Sequence, residues 1–271
     1  MKISVVIFAL LCSAAAFAGK NIEFTTVPDK SGLTPQKALT GLQIRPESTD
    51  KSKFYRISMQ IKAKQPGVIN SCTSAGRKNS WENISIHDSG WNTVYRYIAP
   101  GEAWVYKANV KSKDAAFCVK DIKVEALDND DLTANLLPPL ENAGWHSAWR
   151  KKKAEIGLEK DDDSPFGEHI VTAKINKQTG YPATLAIPAV PGRTLVLEVW
   201  ITGEPDENWN ATVARRGTKV LPITAEWRKY EIKYNISAKA VPDVASLVFW
   251  KVKNQKKLTC SVSGVKVYYE K

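Results

Sequence analysis

Tyr55, Ile57, Met59 and Ile61 alternate with Arg56, Ser58, Gln60 and Lys62. A period of two puts one side of a segment in a core and the other in water, so the pattern predicts a strand. Similar alternation runs through 83–87, 94–98, 104–110, 117–124, 195–201, 227–236, 247–252 and 262–268. Turn residues punctuate these runs at Gln65-Pro66-Gly67, Asp88-Ser89-Gly90, Ala99-Pro100-Gly101 and Val190-Pro191-Gly192. Helical spacing is scarce, and 148–158 is the segment where a helix is most expected. Many short strands joined by Gly/Pro turns predict an all-β chain of antiparallel β-sandwiches.

The pattern also repeats. Residues 54–59 match 194–199 in alternation, and Trp91 and Trp227 each open a strand. Trp104-Val105-Tyr106 matches Leu247-Val248-Phe249, and Asp121-Ile122-Lys123-Val124 matches Gly264-Val265-Lys266-Val267. The second copy has longer loops. Between the copies, 128–134 is acidic and short of apolar residues, the composition of a linker. Two tandem sandwiches are expected, over 19–127 and 135–271.

Lys2, the apolar run 3–11 and Ala16-Phe17-Ala18 read as a secretory leader over 1–18. The rest of the 271-residue chain has room for two domains and no apolar run long enough for a spanning helix. Secretion, to the periplasm or the exterior, is therefore expected. Cys72, Cys118 and Cys260 lie beyond the leader and permit at most one internal disulfide. A Cys72–Cys118 pair with Cys260 as a small buried hydrophobe is the expectation, and three buried thiols are the alternative.

The formal net charge is +11. Nucleic acid is the habitual partner of such a chain, but a secreted protein rarely meets it, and the basic residues are spread rather than clustered. An acidic polysaccharide or a negatively charged cell surface fits the compartment better. The plainer explanation is a solvated sheet face, because Lys and Arg alternate with apolar residues along the strands.

The order of motifs resembles the carbohydrate-binding modules with a galactose-binding-like jelly roll that are attached to xylanases and cellulases. The second copy carries most of this resemblance: Asn135-Leu136-Leu137, then Glu141 and Gly144-Trp145, Gly167-Glu168-His169, Ile187-Pro188 through Pro191-Gly192-Arg193-Thr194-Leu195, Trp227 with Tyr230, and the closing Gly264-Val265-Lys266-Val267. The first copy shows Asn21-Ile22-Glu23-Phe24, the Trp91 strand and Asp121-Ile122-Lys123-Val124, without a clear Pro-Gly-Lys-Tyr turn. The resemblance implies a polysaccharide ligand, with a separate carbohydrate-active enzyme as a further partner. It also implies a structural calcium between an acidic residue of the opening strand and an aspartate near the closing strand. Glu23 and Asp121 match those positions in the first copy, whereas Gly264 replaces the aspartate in the second.

Sugar binding asks for aromatic rings against the apolar face of a pyranose, with amides, carboxylates or cations on its hydroxyls. Of the nine tryptophans, Trp91, Trp104, Trp227 and Trp250 fall in strand patterns and read as structural, and Trp145 and Trp149 as packing at a sheet edge. Trp200 alternates out of phase with Leu195, Leu197, Val199 and Ile201, so it projects from the other side of its sheet together with Glu198. Trp209 sits in the polar run Pro205-Asp206-Glu207-Asn208-Trp209-Asn210, and Trp81, beside Glu82 and Asn83, reads as its first-copy counterpart. Trp81, Trp200 and Trp209, with Glu198, Asn208 and Asn210, are the expected ligand contacts; the bland alternative packs each ring beneath its own loop. Catalysis has little support, since only His87, His146 and His169 occur and no Ser or Cys sits in a nucleophile turn. The expected function is a secreted, non-catalytic carbohydrate-binding protein holding a glycan, an anionic one if charge matters. A structural or adhesive surface protein is the second reading and a glycoside hydrolase the third.

Overall fold

A computed structural model describes residues 20–28, 32–75, 78–86, 89–101, 103–111, 113–148, 154–165, 169–176, 181–205, 208–213, 216–251 and 257–271. The first half holds β1 (Lys20–Asn21), β2 (Phe24–Val27), β3 (Gly41–Pro46), β4 (Tyr55–Ala63), β5 (Gly67–Ala75), β6 (Lys78–Ile86), β7 (Asn92–Ile98), β8 (Trp104–Asn109) and β9 (Phe117–Ala126). The second half holds β10 (His146–Ala148), β11 (Glu155–Lys160), β12 (His169–Asn176), β13 (Tyr181–Ala189), β14 (Thr194–Gly203), β15 (Asn208–Val213), β16 (Arg216–Pro222), β17 (Arg228–Asn235), β18 (Asp243–Lys251) and β19 (Lys257–Tyr269).

The described strands form four sheets, in the orders β1-β9-β4-β7 and β2-β3-β8-β5-β6 in the first half, and β11-β12-β19-β14-β17 and β10-β13-β18-β15-β16 in the second. Each half is an antiparallel β-sandwich. The halves are one plan used twice, because β3-β8-β5-β6 and β9-β4-β7 recur as β13-β18-β15-β16 and β19-β14-β17. Even the irregularity recurs. β4 and β9 lose register between Ser58 and Gln60, and β14 and β19 between Glu198 and Trp200. At those bulges Asp121 and Gly264 hold left-handed φ angles of 53° and 54°.

The period-two reading is visible in the burial. Ile57, Met59 and Ile61 of β4 and Leu195, Leu197, Val199 and Ile201 of β14 are all sealed in cores. Two expectations are corrected. The helix expected over 148–158 is absent where that segment is described: Glu155–Lys160 is β11, paired along its whole length with β12. Gly157 there lets β12 approach so closely that a Cβ would lie 2.5 Å from Thr172 Oγ1. The Cys72–Cys118 pair is also not formed. Cys72 lies on the outward side of β5 and Cys118 on the outward side of β9, so the sandwich stands between them. Cys260 is buried in the core of the second half.

The acidic stretch between the halves is folded. It carries the short helix α1 (Asn129–Thr133), closed by a capping box in which Asp128 accepts from the Asp131 N–H and Asp131 accepts from the Asp128 N–H. Arg56 reaches Asp131 at 3.4 Å and Glu125 at 2.9 Å, tying α1 to the first sandwich. Tyr97 of β7 is buried in the second core and its hydroxyl donates to the Leu136 carbonyl at 2.7 Å. Arg96 and Glu82 form a buried ion pair, and Glu82 also accepts from the Ala186 N–H of β13 at 2.7 Å. The edge formed by β6 and β7 is thereby docked on β13 of the second half.

Candidate functional site

The five-stranded sheet of the first half turns Ile69, Ile84, Ile86, Trp104, Tyr106, Ala108, Leu42 and Ile44 into the core. Its other face looks outward, and strand register defines what it presents. One row runs straight across all five strands: Val27, Gln43, Lys107, Cys72 and Trp81. The next row, two residues along, is Gly41, Asn109, Asn70 and Asn83. Neighbouring strands lie ~4.8 Å apart and residues on one face ~6.8 Å apart along a strand. Trp81 and Lys107 are therefore about 10 Å apart, and three asparagines on adjacent strands run beside them.

Trp81 is 71% exposed, on the edge strand β6. Cys72, between Trp81 and Lys107, is only 5% exposed, so the indole and the ammonium are what this part of the row offers to solvent. The open indole thus stands beside amides and a cation on one face. Gly41 makes room for the Asn109 amide, because a Cβ there would come within 2.8 Å of Asn109 Oδ1. Arg45 is the second outward cation. No carboxylate occupies a described outward position on these five strands, so the face is cationic. Val27 and Val68, also exposed, extend its apolar surface.

The other expected ligand contacts fall elsewhere. Trp209 is a correction: it is fully buried, inside β15 rather than in a loop, with its ring 5.1 Å from Phe249. Alternation decides this, since β15 also turns Ala211 and Val213 inward and leaves Asn208 and Asn210 on the other side. Nor are Trp81 and Trp209 counterparts. With Tyr106 and Phe249 matched, Trp81 corresponds to Val220, and the row equivalent to Lys107-Cys72-Trp81 is Trp250-Asn210-Val220. Trp250 of that row is half-buried and meets Tyr181 edge-on at 5.8 Å.

Trp200 and Glu198 lie on the outward side of the second half's other sheet. Glu198 accepts from Lys229 at 2.8 Å and from the Tyr268 hydroxyl at 2.7 Å. The Lys229 bond, then the Tyr268 bond, hold the Glu198 carboxyl below its usual range, and the same contact pushes the Tyr268 phenol up to about 12. Charge there is internally matched, as Lys233 also pairs with Glu270 at 2.5 Å. The six expected contacts thus divide among one core and three separate outward faces.

Trp91 and Trp227, expected to be structural, are half-buried, and Lys120 stands 4.6 Å over the Trp91 ring. Trp145 is buried and stacks on Phe249 at 6.0 Å. Trp149 and His87 lie outside the described residues. Glu23 and Asp121 are both exposed, and Ile22, beside Glu23, donates its N–H to the Val124 carbonyl of β9 at 2.8 Å. Among the described residues no group of three or more His, Cys, Asp or Glu side chains could hold a metal. A calcium ion at Glu23 and Asp121 would draw most of its six to eight oxygens from backbone and water.

The sequence marked Trp81 as exposed, but not the residues that other strands set beside it. Gln43, Asn70, Lys107 and Asn109 come from three different strands, and only the non-local order β3-β8-β5-β6 assembles them. Their outward phase was readable in Tyr106-Lys107-Ala108-Asn109; their partners were not.

The fold is similar to several solved structures. One is the tandem of two CBM22 domains from Paenibacillus barcinonensis Xyn10C, at 10% identity and a TM-score of 0.37, covering 94% of this chain and 99% of that one. Another is a structure of carbohydrate-binding modules from the β-sandwich superfamily, at 14% identity and a TM-score of 0.33, covering 92% and 97%. A third is the family 11 carbohydrate-binding module of the cellulosomal cellulase Lic26A-Cel5E of Clostridium thermocellum, at 14% identity and a TM-score of 0.32, covering 46% and 88%. No family model matches the sequence, and no curated protein matches it.

Proposed function

We propose that this chain is an exported, non-catalytic protein that holds an anionic polysaccharide against the outer face of its first five-stranded sheet. The observation that carries the reading is Trp81, 71% exposed and in one row with Lys107. The indole offers its flat surface to the apolar face of a pyranose, which is where most of the binding free energy arises. Asn70, Asn83 and Asn109 offer both donors and acceptors to ring hydroxyls along the chain direction. Lys107 and Arg45 complement uronate or sulfate groups, and among the described residues of these strands no carboxylate faces outward beside them. A row that runs across five strands suits the middle of a long chain rather than an isolated sugar.

Electrophoresis through gels containing polygalacturonate, a sulfated galactan or a neutral β-glucan tests this. The acidic gels should retard the native protein, added salt should weaken the retardation, and Trp81→Ala should abolish it. Trp200→Ala should leave it intact. Equal mobility in every gel, or full retardation of a folded Trp81→Ala protein, would overturn the proposal.

A further inference from the structure

The two sandwiches share a plan but not the chemistry of one corner of their cores. With Tyr106 matched to Phe249 and the bulge of β4 to that of β14, Ser71, Thr73, Glu82 and Arg96 occupy the positions of Trp209, Ala211, Leu221 and Ile232. In the second half these four are apolar members of one core. In the first half all four are polar, and Ser71, Thr73 and Arg96 are at most 5% exposed. Exchanging a buried ion pair for well-packed apolar residues is commonly neutral or stabilising. The sandwich plan therefore does not require the Arg96–Glu82 pair, and its contacts show where it acts.

Those contacts lead to the other half. Arg96 is fixed within its own sandwich, its Nε donating to Thr73 Oγ1 of β5 at 3.2 Å, and it holds one oxygen of Glu82. The other oxygen, Oε1, accepts from the Ala186 N–H of β13 at 2.7 Å. β13 has a bulge at this point, its register with β18 shifting between Ala183 and Ala186. Across the bulge the Leu185 N–H donates to the Ala143 carbonyl at 2.9 Å, and the Thr184 hydroxyl accepts from the Leu247 N–H at 3.3 Å.

β6 gains most from this hold. It ends the order β2-β3-β8-β5-β6 and pairs within its sheet with β5 alone, and such edges open more readily than central strands. Trp81, Glu82 and Asn83 are consecutive, so the residue that reaches the second half lies between two that point to the outer face. We propose that Glu82 is a positioning residue, through which the second sandwich fixes β6 and the outward row that carries Trp81. The link to binding rests on the glycan reading of that face; the tie between the halves does not.

Two double variants of the full chain test this. Glu82→Leu with Arg96→Ile, the apolar variant, removes the charges and the acceptor for Ala186. Glu82→Gln with Arg96→Met, the amide variant, removes the charges and keeps the acceptor. Without ligand, the Ala186 and β6 amides should exchange hydrogen about tenfold or more faster in the apolar variant and at the native rate in the amide variant, as followed by NMR. In polygalacturonate gels the apolar variant should bind about tenfold more weakly than native and the amide variant like native, although the apolar variant melts no lower than the amide variant. A merely structural role would make affinity follow the melting temperature. If the apolar variant does not fold, Glu82→Ala with Arg96→Met removes the same acceptor and carries the test. Native exchange rates in the apolar variant would overturn the tie. Native retardation of an apolar variant whose β6 exchanges fast, or equal weakening in both variants, would overturn the positioning role. A native protein that no acidic gel retards overturns the glycan reading and the positioning role with it, and the exchange rates then decide the tie between the halves by themselves.

Discussion

Trp81 and Trp209 are the same residue type in strands of equivalent sandwiches, and their surroundings give them opposite roles. Trp209 has no exposed surface and packs on Phe249, so Trp209→Ala should leave a core cavity and cost ~3–5 kcal/mol in urea unfolding. Trp81→Ala removes an exposed ring and should change stability by no more than ~0.5 kcal/mol. A large loss for Trp81→Ala would mean that the ring serves the fold rather than a ligand. The sequence marked Trp81 correctly as open, but the polar run around Trp209 misled, because Asn208 and Asn210 are simply the outward members of an alternating strand. Period two, applied to 208–213 as it was to 195–201, would have turned Trp209 inward.

At the scale of the element, phase was legible and pairing was not. Alternation located most of the long strands and the inward row of β14, while α1 was hidden because a single capped turn has too few residues to show a period. The matched bulges show what the repeat preserved. Asp121 holds a left-handed φ of 53° where the second copy uses glycine. Asp121→Gly should keep or slightly raise the melting temperature, and Asp121→Val should lose ~1–2 kcal/mol, since a β-branched residue strains that conformation most. Melts run with calcium and with a chelator read the carboxylate role: a calcium-dependent rise lost in Asp121→Gly and in Glu23→Gln would assign an ion to that pair. On the opposite face of the second half, Glu198 is depressed by its bonds from Lys229 and Tyr268. A depressed carboxylate adds stability that is full above the ordinary carboxylate range and is lost as pH falls through its own lower value. The melting temperature of Glu198→Gln should therefore lie slightly below that of the native protein at neutral pH, with the gap closing in strong acid; exposure keeps the gap small. A gap that widens in acid would contradict the assignment.

The whole molecule is two sandwiches joined by a seam with buried charge. Arg96 and Glu82 are sealed within it, and Glu82 also receives the Ala186 N–H. Arg96→Met should strand a buried carboxylate and cost ~3–5 kcal/mol, and adding Glu82→Gln should recover part of that loss, because the amide keeps an acceptor for Ala186 and carries no charge. No recovery in the double variant would show that the stranded charge of Glu82 is not the source of the loss. The seam also fixes the orientation of β6, whose outward side carries Trp81 and Asn83. The proposed glycan binding rests on that face, and calorimetric titration with an oligogalacturonate reads it most directly. Native protein should bind with an affinity that falls as salt is raised, and Trp81→Ala and Lys107→Ala should each weaken binding by about tenfold or more at unchanged melting temperature. Equal affinities for the native and the Trp81→Ala proteins would contradict it.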